Sequence, residues 1–299
     1  MKRGHWQILL AAALFLLALG LTLYPVVSNW YIGRHQSRIQ TEYREVLEQT
    51  DSAEIESIRK RAVAYNKTIT PGAAEEAYSQ KSIRLAAEDY VNRLNVSGSG
   101  IMGYVEIPKI GVDLPIYHGT GADSLDRGTG HLLGSSLPVG GESTHTIITG
   151  HSGMASQKMF TDLEKLRERD IFYLHVLDET LAYEVREIHT VLPHDTTYLG
   201  IEPGEDLCTL VTCTPTGVNT HRLLVHGSRI PYVPTEETEA SAVLHEENTD
   251  SNWEKQYWLG VRLGLAAMVF LTLVAGAVLY IRRNRGRAVH RKGGRYVRK

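Results

Sequence analysis

Cysteine is scarce in this sequence, because its 299 residues include only two, Cys208 and Cys213. On one strand their Cα atoms would lie about 16 Å apart at ~3.3 Å per residue, and their odd separation would direct them to opposite faces. A disulfide needs Cα atoms within about 7 Å, so we expect none here. The spacing also fits none of the usual paired-cysteine zinc patterns, even with His221 and His226 nearby. Cys208 is expected to be a buried small apolar residue, which leaves Cys213 as the candidate reactive thiol.

Acidic residues are absent from both ends of the chain. The tail after Ile281 carries seven Arg and two Lys, and Lys2 and Arg3 add two positive charges at the other end. The whole chain has a net charge of −2, so the residues between these ends carry −13. A near-neutral total therefore combines a basic tail with an acidic central region.

Two long apolar runs are present, at residues 8–23 and 263–281. Each is long enough, or nearly so, to cross a bilayer as a helix, and tryptophans and tyrosines before the second run suit an interfacial belt. We predict transmembrane helices at 7–27, acting as a signal-anchor, and at 258–281. A cleaved signal peptide is the alternative for the first run, but the residues after Leu23 offer no clean small-x-small cleavage site.

The basic flanks predict the orientation of these spans. Positive charge favours the cytoplasmic side, so residues 1–6 and 282–299 are expected in the cytoplasm and the region between the spans outside the cell. A basic tail also suggests nucleic acid, but its position beside a membrane span favours anionic lipid headgroups. The predicted partner at this end is the lipid bilayer, and nucleic acid is not expected.

Residues 28–99 have the pattern of an extracellular helical region. Apolar residues recur at helical spacing between 35 and 69, and Asp51 with Glu54 resembles a capping box that begins a second helix. A third amphipathic helix is predicted from about 73 to 94, after a Thr-Pro-Gly break. These helices are either a stalk between membrane and domain or an appendage that packs on the domain.

From residue 100 to 232 the pattern changes to short strands with Gly and Pro turns, which is typical of a closed barrel or sandwich and indicates a mainly β domain. The candidate strands are Met102–Ile107, Val112–His118, His145–Gly150, Ile171–Val176, Leu181–Leu192, Leu207–Thr214 and His221–Ile230. One short helix is predicted at Ala155–Leu166. Residues 233–257 are acidic and poor in apolar residues, which indicates a disordered linker.

The chemistry points to the end of one predicted strand. The run Thr209-Leu-Val-Thr-Cys213 ends a β-prone segment, a loop follows, and a new strand begins at His221 with Arg222 next. Two adjacent antiparallel strands would bring the thiol and the guanidinium together. Such a pair suits acyl transfer, because the thiolate attacks and the cation stabilises a developing oxyanion or a substrate carbonyl. An ordinary salt bridge to an acidic surface is the alternative for Arg222.

A base is needed near this thiol, because a free thiol is mostly protonated near neutral pH. His151 stands out among the histidines, since the strand before it ends at Gly150 and places the imidazole at a strand end. It would take the thiol proton, or form an imidazolium–thiolate pair, and then protonate the departing amine. His221 is the main alternative, but strand alternation turns it away if Arg222 faces the site. Thr212, next to the thiol, is a candidate for shaping a substrate groove.

These elements resemble the sortase signature, Thr-Leu-x-Thr-Cys followed by a strand-borne Arg. Other segments resemble sortase landmarks in sortase order, over roughly residues 100–232: Gly103-Tyr-Val-Glu-Ile-Pro108, Leu114-Pro-Ile-Tyr-His-Gly119, Gly130-His-Leu132 and Thr149-Gly-His-Ser-Gly153. The resemblance implies an eight-stranded β-barrel with helical insertions, in which Cys213 is the nucleophile and His151 and Arg222 are its catalytic partners. It also implies cleavage of a Leu-Pro-x-Thr-Gly-like sorting signal between Thr and Gly through a thioester, with no metal or organic cofactor.

The chain looks most like a class C, pilin-polymerising sortase of a Gram-positive bacterium. Three features resemble that class: the second span, the long helical region before the barrel, and the sequences of residues 140–145 and 214–222. Membership implies pilins or other surface proteins with sorting signals as substrates, and a pilin lysine amine as the acceptor. One departure is that no proline follows an aspartate, so the Asp-Pro-aromatic lid of that class is absent or built differently from residues 70–94.

Two other functions are compatible with the sequence. A housekeeping-type sortase would attach surface proteins to the cell wall instead of to pilins. A non-catalytic, membrane-tethered adhesin or scaffold would keep the barrel but lose the Cys, His or Arg, and all three residue types are present.

Overall fold

The computed structural model describes residues 12–20, 23–24, 39–70, 72–73, 90–154, 157–233, 261–264, 266, 269–270 and 276. The chain divides into two compact units, Met1–Tyr24 with Asp250–Lys299, and Pro25–Thr249. The described residues of the first unit are helical. Within the described part of the chain, no helix combines the length and apolarity that a membrane crossing requires. Several predicted segments lie wholly or largely outside the described residues: the span at 258–281, the termini 1–6 and 282–299, the linker 233–257 and most of the third helix. Of the span predicted at 7–27, residues 12–20 and 23–24 are described, and they are helical.

The second unit is built on a closed barrel of eight strands, so the predicted mainly β barrel is confirmed. In chain order the strands are β1 (Ile101–Ile107), β2 (Val112–His118), β3 (Thr129–His131), β4 (Thr144–Thr149), β5 (Ile171–Val176), β6 (Glu179–Val191), β7 (Asp206–Thr214) and β8 (His221–Ile230). They neighbour each other in the order β1-β2-β3-β4-β7-β8-β6-β5, and β5 closes the barrel against β1. Because β4 and β7 are parallel, their carboxyl ends meet at one edge of the barrel.

Strand alternation divides the residues of β4, β7 and β8 between an inner and an outer face. The inner residues join the main core of the barrel: Ile148, Cys208, Leu210, Leu223 and Val225. The outer residues join a second apolar cluster: Ile147, Val211 and Leu224, with Leu132, Val191 and Leu199. Cys213 is two residues beyond Val211 on β7, so it belongs to the outer face.

Seven of the strands match predicted ones to within two residues, and two local features differ. The sequence shows no sign of β3, because its three residues are too few to display an alternating pattern. The helix predicted at Ala155–Leu166 is wrong over the described residues, where only Leu163–Lys165 forms a 3₁₀ turn. Met159 has a positive φ of 44°, and the backbone N–H of Phe160 donates to the carbonyl of His151, so the chain turns instead of propagating a helix.

Helical residues precede the barrel and pack on it. Residues 39–49 are helical, and α1 spans Ser52–Asn66. The carboxylate of Asp51 accepts from the N–H of Ala53 at 2.7 Å, as its predicted role at the helix start requires. A second short helix, α2 (Ala122–Leu125), follows β2.

Specific contacts tie the helical residues to the barrel. The Tyr43 hydroxyl donates to the carbonyl of Met102 at 3.2 Å. The amide of Asn66 both donates to and accepts from the backbone of Leu137. Ile55 joins the barrel core. Of the two alternatives for this region, the structure favours a packed appendage for residues 39–66.

Candidate active site

Cys213 and Arg222 are partners across the antiparallel β7–β8 pair. Directly opposite residues in such a pair have Cα atoms about 4.5–5.5 Å apart and project their side chains from the same face. Both residues are half-buried. The register therefore brings the thiol and the guanidinium together at the edge where the loop between β7 and β8 leaves the barrel.

Among the described residues, the guanidinium of Arg222 hydrogen-bonds only to backbone oxygen. Its Nη1 lies 3.3 Å from the carbonyl of Asn219 and 3.1 Å from the carbonyl of His221. Among the ion pairs of the described residues, none involves Arg222, so the alternative of a surface salt bridge finds no partner there. Because Arg222 is the strand partner of Cys213, its charge is carried at the same edge of the barrel as the thiol.

His151 reaches this edge through the parallel pairing of β4 with β7. Thr149, the last residue of β4, is the partner of Val211. His151 is two residues after Thr149, and Cys213 is two residues after Val211. The hydroxyl of Ser152 donates to the carbonyl of Cys213 at 2.6 Å, which ties the histidine loop to the end of β7. The structure thus brings all three predicted residues to one edge of the barrel.

Thr212 and Gly150 fix the turn that presents His151. The Thr212 hydroxyl donates to the carbonyl of Gly150 at 2.7 Å, and Thr212 is 3% exposed. A Cβ at Gly150 would lie 2.7 Å from the ring of Phe160, so glycine is needed for the chain to pass this ring. Thr212 therefore supports the loop from within the barrel, and its contact with a substrate stays a prediction.

Asp126 is a residue near the site that the sequence did not reveal. It follows α2, and its Oδ1 lies 3.6 Å from Nε2 of His151. The two side chains are 63% and 37% exposed, respectively. Nothing in the sequence around Asp126 marks it, because the contact joins residues from two separate loops. Ser152 had a weak signal, as the neighbour of His151 in the Thr-Gly-His-Ser-Gly run.

The second cysteine and the rival histidine lie apart from this chemistry. Cys208 is fully buried in the barrel core, both cysteines are free, and burial raises the pKa of the Cys208 thiol. Because Cys208 and Cys213 occupy opposite faces of β7, they do not converge on one ion. Among the described residues, no group of three His, Cys, Asp or Glu side chains has the arrangement of a metal site. His221 instead pairs its Nδ1 with the hydroxyl of Thr220 at 3.0 Å.

The arrangement has the parts that acyl transfer needs. A half-buried thiol supplies a nucleophile, a fixed cation lies across from it, and an imidazole lies on the adjoining loop. Each lies at a strand end or on a loop, which leaves room for a peptide on the outer face. Thiol chemistry assisted by a cation and a general acid–base group is therefore what this edge is suited to perform.

Comparison with known proteins places this architecture in a family. Residues 105–230 match the model of the sortase domain. Sortase A of Streptococcus agalactiae serotype III (strain NEM316) is 26% identical over 222 residues, which are 73% of this chain and 82% of that protein.

Solved structures show a stronger likeness. Sortase C of Streptococcus pneumoniae is 46% identical with a TM-score of 0.60, and the match covers 66% of this chain and 100% of that one. Sortase C-1 of Actinomyces oris is 43% identical with a TM-score of 0.56, over 60% of this chain and 99% of that one. The sortase-domain match at 105–230 contains His151, Cys213 and Arg222. The chain therefore belongs to the sortase family of cysteine transpeptidases.

Proposed function

We propose that this chain is a membrane-anchored class C sortase that builds pili. It cleaves a Leu-Pro-x-Thr-Gly-like sorting signal between Thr and Gly and transfers the acyl group to a lysine amine of a pilin subunit. The observation that carries the proposal is the convergence of three residues on one edge. Cys213 faces Arg222 across β7 and β8, and the His151 loop is tied to Cys213 through Ser152.

In the acylation step, the Cys213 thiolate attacks the carbonyl carbon of the Thr–Gly bond. A carbon–sulfur bond forms and negative charge develops on the carbonyl oxygen. The Arg222 guanidinium keeps its charge at working pH and stabilises this oxyanion. As the carbon–nitrogen bond breaks, His151 gives a proton to the glycine nitrogen, and the segment from Gly onward leaves as an amine.

In the second step, a neutral lysine amine attacks the thioester carbon. His151 takes a proton from the attacking nitrogen as the carbon–sulfur bond breaks, and Cys213 leaves as a thiolate. The product is an isopeptide bond between two subunits. These steps use only side chains of this protein, and Thr212 contributes by holding the His151 loop from within the barrel.

Two lines of support favour class C and pilins. The solved sortases of Streptococcus pneumoniae and Actinomyces oris are both of the C type, and the former is described in terms of pilin substrate specificity. The long helical region before the barrel, part of which packs on it through Tyr43 and Asn66, is the second line. Pilins and other surface proteins with sorting signals are accordingly the proposed partners.

The proposed location is the cell membrane. Residues 7–27 and 258–281 would form two spans, with both termini in the cytoplasm and the barrel outside. The basic tail would then lie against anionic lipid headgroups, and no nucleic acid partner is proposed. Protease treatment of intact cells tests this orientation: an epitope on the barrel should be digested, whereas one on the tail should be protected.

A second candidate function is attachment of surface proteins to the cell wall. The likeness to Sortase A of Streptococcus agalactiae favours it. The two functions share the acylation step and differ in the amine that resolves the thioester. A lysine-bearing pilin domain and a peptidoglycan-stem amine are therefore the acceptors that separate them.

The deciding experiment uses the full chain in detergent with a fluorogenic sorting-signal peptide and each acceptor in turn. We expect cleavage, a thioester at Cys213 in mass spectra, and transfer to the pilin lysine in preference to the cell-wall amine. Cys213→Ala is the control without a nucleophile. Preference for the cell-wall amine would establish the second candidate, and absence of cleavage by the intact enzyme would favour a non-catalytic scaffold.

A gene deletion tests the same choice in cells. Loss of the enzyme should abolish the covalent high-molecular-weight ladders of pilin while monomeric subunits persist. Surviving ladders together with failed anchoring of surface proteins in bulk would contradict the pilin assignment.

A further inference from the structure

A chain of buried polar side chains crosses the outer face close to the proposed active site. Its members are His145 on β4, Thr209 on β7 and His226 on β8, which we call the buried histidine chain. Thr209 and His226 are direct strand partners, and each lies four residues from the reactive residue of its own strand. Residues at even separation on a strand share a face, so the buried histidine chain lies on the same face as the reactive residues.

Hydrogen bonds link the members in a single line. His145 Nδ1 lies 2.7 Å from the carbonyl oxygen of Gly200, and His145 Nε2 lies 2.6 Å from the Thr209 hydroxyl. That hydroxyl lies 2.7 Å from Nδ1 of His226. The three side chains are 2%, 0% and 4% exposed, in chain order. The line therefore runs from the connection between β6 and β7 across three strands.

The direction of each hydrogen bond follows from the acceptor at one end. A carbonyl oxygen only accepts, so His145 carries its hydrogen on Nδ1. With the Nδ1 hydrogen used in that bond, a neutral imidazole has Nε2 free of hydrogen, and this nitrogen accepts from the Thr209 hydroxyl. The Thr209 oxygen in turn accepts from Nδ1–H of His226. Burial lowers the pKa of His226 to about 3, which agrees with a neutral ring.

The far end of the line leaves one nitrogen of His226 unused. Its Nε2 is buried and has no hydrogen-bond partner among the described residues. The buried histidine chain therefore ends at His226. At its other end, His145 holds the carbonyl of Gly200.

The segment held at Gly200 covers the outer face next to the reactive residues. Leu199 is 1% exposed and packs in the outer apolar cluster with Val211 and Leu224. Val211 is two residues from Cys213, and Leu224 is two residues from Arg222. A peptide that reaches Cys213 along this face must therefore pass beside the segment at 199–200.

We infer that His145, Thr209 and His226 are positioning residues for the transpeptidation. They hold residues 199–200 as a fixed wall beside the peptide, and they act on substrate binding, not on the chemical step. The reactive residues have separate supports, since Thr212 holds Gly150 and Ser152 holds the carbonyl of Cys213. This inference rests on the proposed function, because the substrate is a peptide that becomes bound to Cys213.

The test compares Thr209→Val with Thr209→Ser in the full chain in detergent. Valine keeps the shape but removes the hydroxyl, so both histidines lose their shared partner; serine keeps the hydroxyl. We expect KM for the sorting-signal peptide to rise about tenfold in Thr209→Val, since a lost buried hydrogen bond is worth roughly that factor. The kcat should change less than about twofold, and Thr209→Ser should recover most of the KM.

Thr180→Val is the matched control. Thr180 also pairs with a histidine, since its hydroxyl lies 3.0 Å from Nδ1 of His175, but it lies on the β5–β6 hairpin. This variant should leave KM unchanged. An equal rise in KM in both valine variants would overturn the inference, as would a fall in kcat without a rise in KM in Thr209→Val.

Hydrogen exchange supplies a readout that does not depend on activity. Amides at about 196–202 should exchange at least about tenfold faster in Thr209→Val, whereas those of β7 near Cys213 should not. Unchanged exchange in this segment overturns the inference even if the enzyme is inactive. If no sorting peptide is cleaved by the intact enzyme, the proposed function fails, while the exchange result still decides whether the chain holds the segment.

A second pair of variants covers the case in which Thr209→Val does not fold. His145→Asn keeps a donor at the Nδ1 position and so keeps the bond to Gly200, whereas His145→Ala removes it. Because Asn also removes the Nε2 acceptor of the Thr209 hydroxyl, we expect an intermediate rise in KM in the first variant and a larger rise in the second. Equal KM values in the two variants would overturn the inference.

Discussion

The outer face of the barrel carries two groups of polar residues that differ in solvent exposure and in access to substrate. At the edge, Cys213 and Arg222 are half-buried, and the side chain of His151 is 37% exposed. Further from this edge, on β4, β7 and β8, the buried histidine chain is at most 4% exposed, and each member is hydrogen-bonded to the next. Both groups contain imidazoles, but only the one at the strand ends has a ring that substrate can reach.

Burial explains the difference in proton chemistry. It lowers the pKa of His226 to about 3, and that of His131, another buried histidine, to about 4. Such rings stay neutral near pH 7 and do not exchange protons with a substrate. Position at a strand end, and not residue type, therefore separates a reacting histidine from a structural one in this barrel.

The largest expected effect on activity comes from substituting the reactive residues at the strand ends. His151→Ala and Arg222→Ala should each lower kcat/KM for the sorting peptide by about 10³-fold or more, since each removes the proton-transfer group or the oxyanion partner. Adding either change to Cys213→Ala should cost nothing further, because the three act as one unit. Steady-state kinetics give the values, and circular dichroism checks the fold.

His226→Asn is the informative comparison for those variants. Asparagine keeps a donor at the Nδ1 position, so kcat should remain within about twofold of the unaltered enzyme. A loss of kcat as deep as that of His151→Ala would erase the distinction between the two groups. Near-normal turnover in either His151→Ala or Arg222→Ala would remove that residue from the proposed mechanism.

The sequence predicts these two groups unequally, for physical reasons. The approach of Cys213 to Arg222 follows from two consecutive strands and a short loop, so local pattern was sufficient. His151 was recognisable by its place at a strand end. The buried histidine chain depends on the parallel pairing of β4 with β7, which no local pattern specifies. Asp126 was not predictable because its contact with His151 joins two separate loops, and β3 was too short to show a pattern.

The next largest expected difference is between the alkylation rates of the two thiols. Cys213 should react with a small alkylating reagent at least about 100-fold faster than Cys208, because Cys208 is fully buried and burial raises its pKa. Mass spectrometry of labelled peptides measures both rates. Both thiols should label at similar rates in urea, and comparable rates in the folded protein would contradict the assignment of Cys208 to the core.

The same labelling tests whether the resting site is open. Because no Asp-Pro-aromatic element is present to contact Cys213, we expect fast labelling without substrate. Removing the residues before Gly98 is not a clean control, since Ile55 and Leu94 belong to the barrel core. A saturating sorting peptide is the better one and should protect Cys213 but not Cys208. Slow labelling of the resting enzyme would indicate that another segment covers the site.

A smaller effect is expected on the free energy of unfolding when the pH is lowered, because of the buried histidines. An unfolded histidine has a pKa near 6.5, whereas the folded values for His226 and His131 are about 3 and about 4. Below pH 6.5 the unfolded chain therefore binds protons that the folded chain does not, and the free energy of unfolding falls as pH falls. Above pH 6.5 neither state binds them, and the effect vanishes.

Urea unfolding at pH 7.5 and pH 5 measures this dependence. Each buried imidazole should lower stability by about 1.4 kcal/mol per pH unit, so the two together cost on the order of 2–4 kcal/mol at pH 5. His226→Asn has one fewer such ring and should lose roughly half of the pH-dependent difference. An undiminished difference in this variant would mean that His226 does not remain neutral in the folded protein.

The smallest predicted effect concerns Asp126, which lies 3.6 Å from His151 with both side chains well exposed. Exposed pairs of this kind contribute little, so Asp126→Asn should lower kcat/KM by no more than about fivefold, and the loss should shrink at high salt because screening weakens the pair. Asp123→Asn, on the exposed side of α2, removes the same charge without that contact and should have no effect. A loss above about 100-fold that persists at high salt would place Asp126 in the reaction itself, as the group that orients the imidazole. The reactive edge would then depend on four residues instead of three.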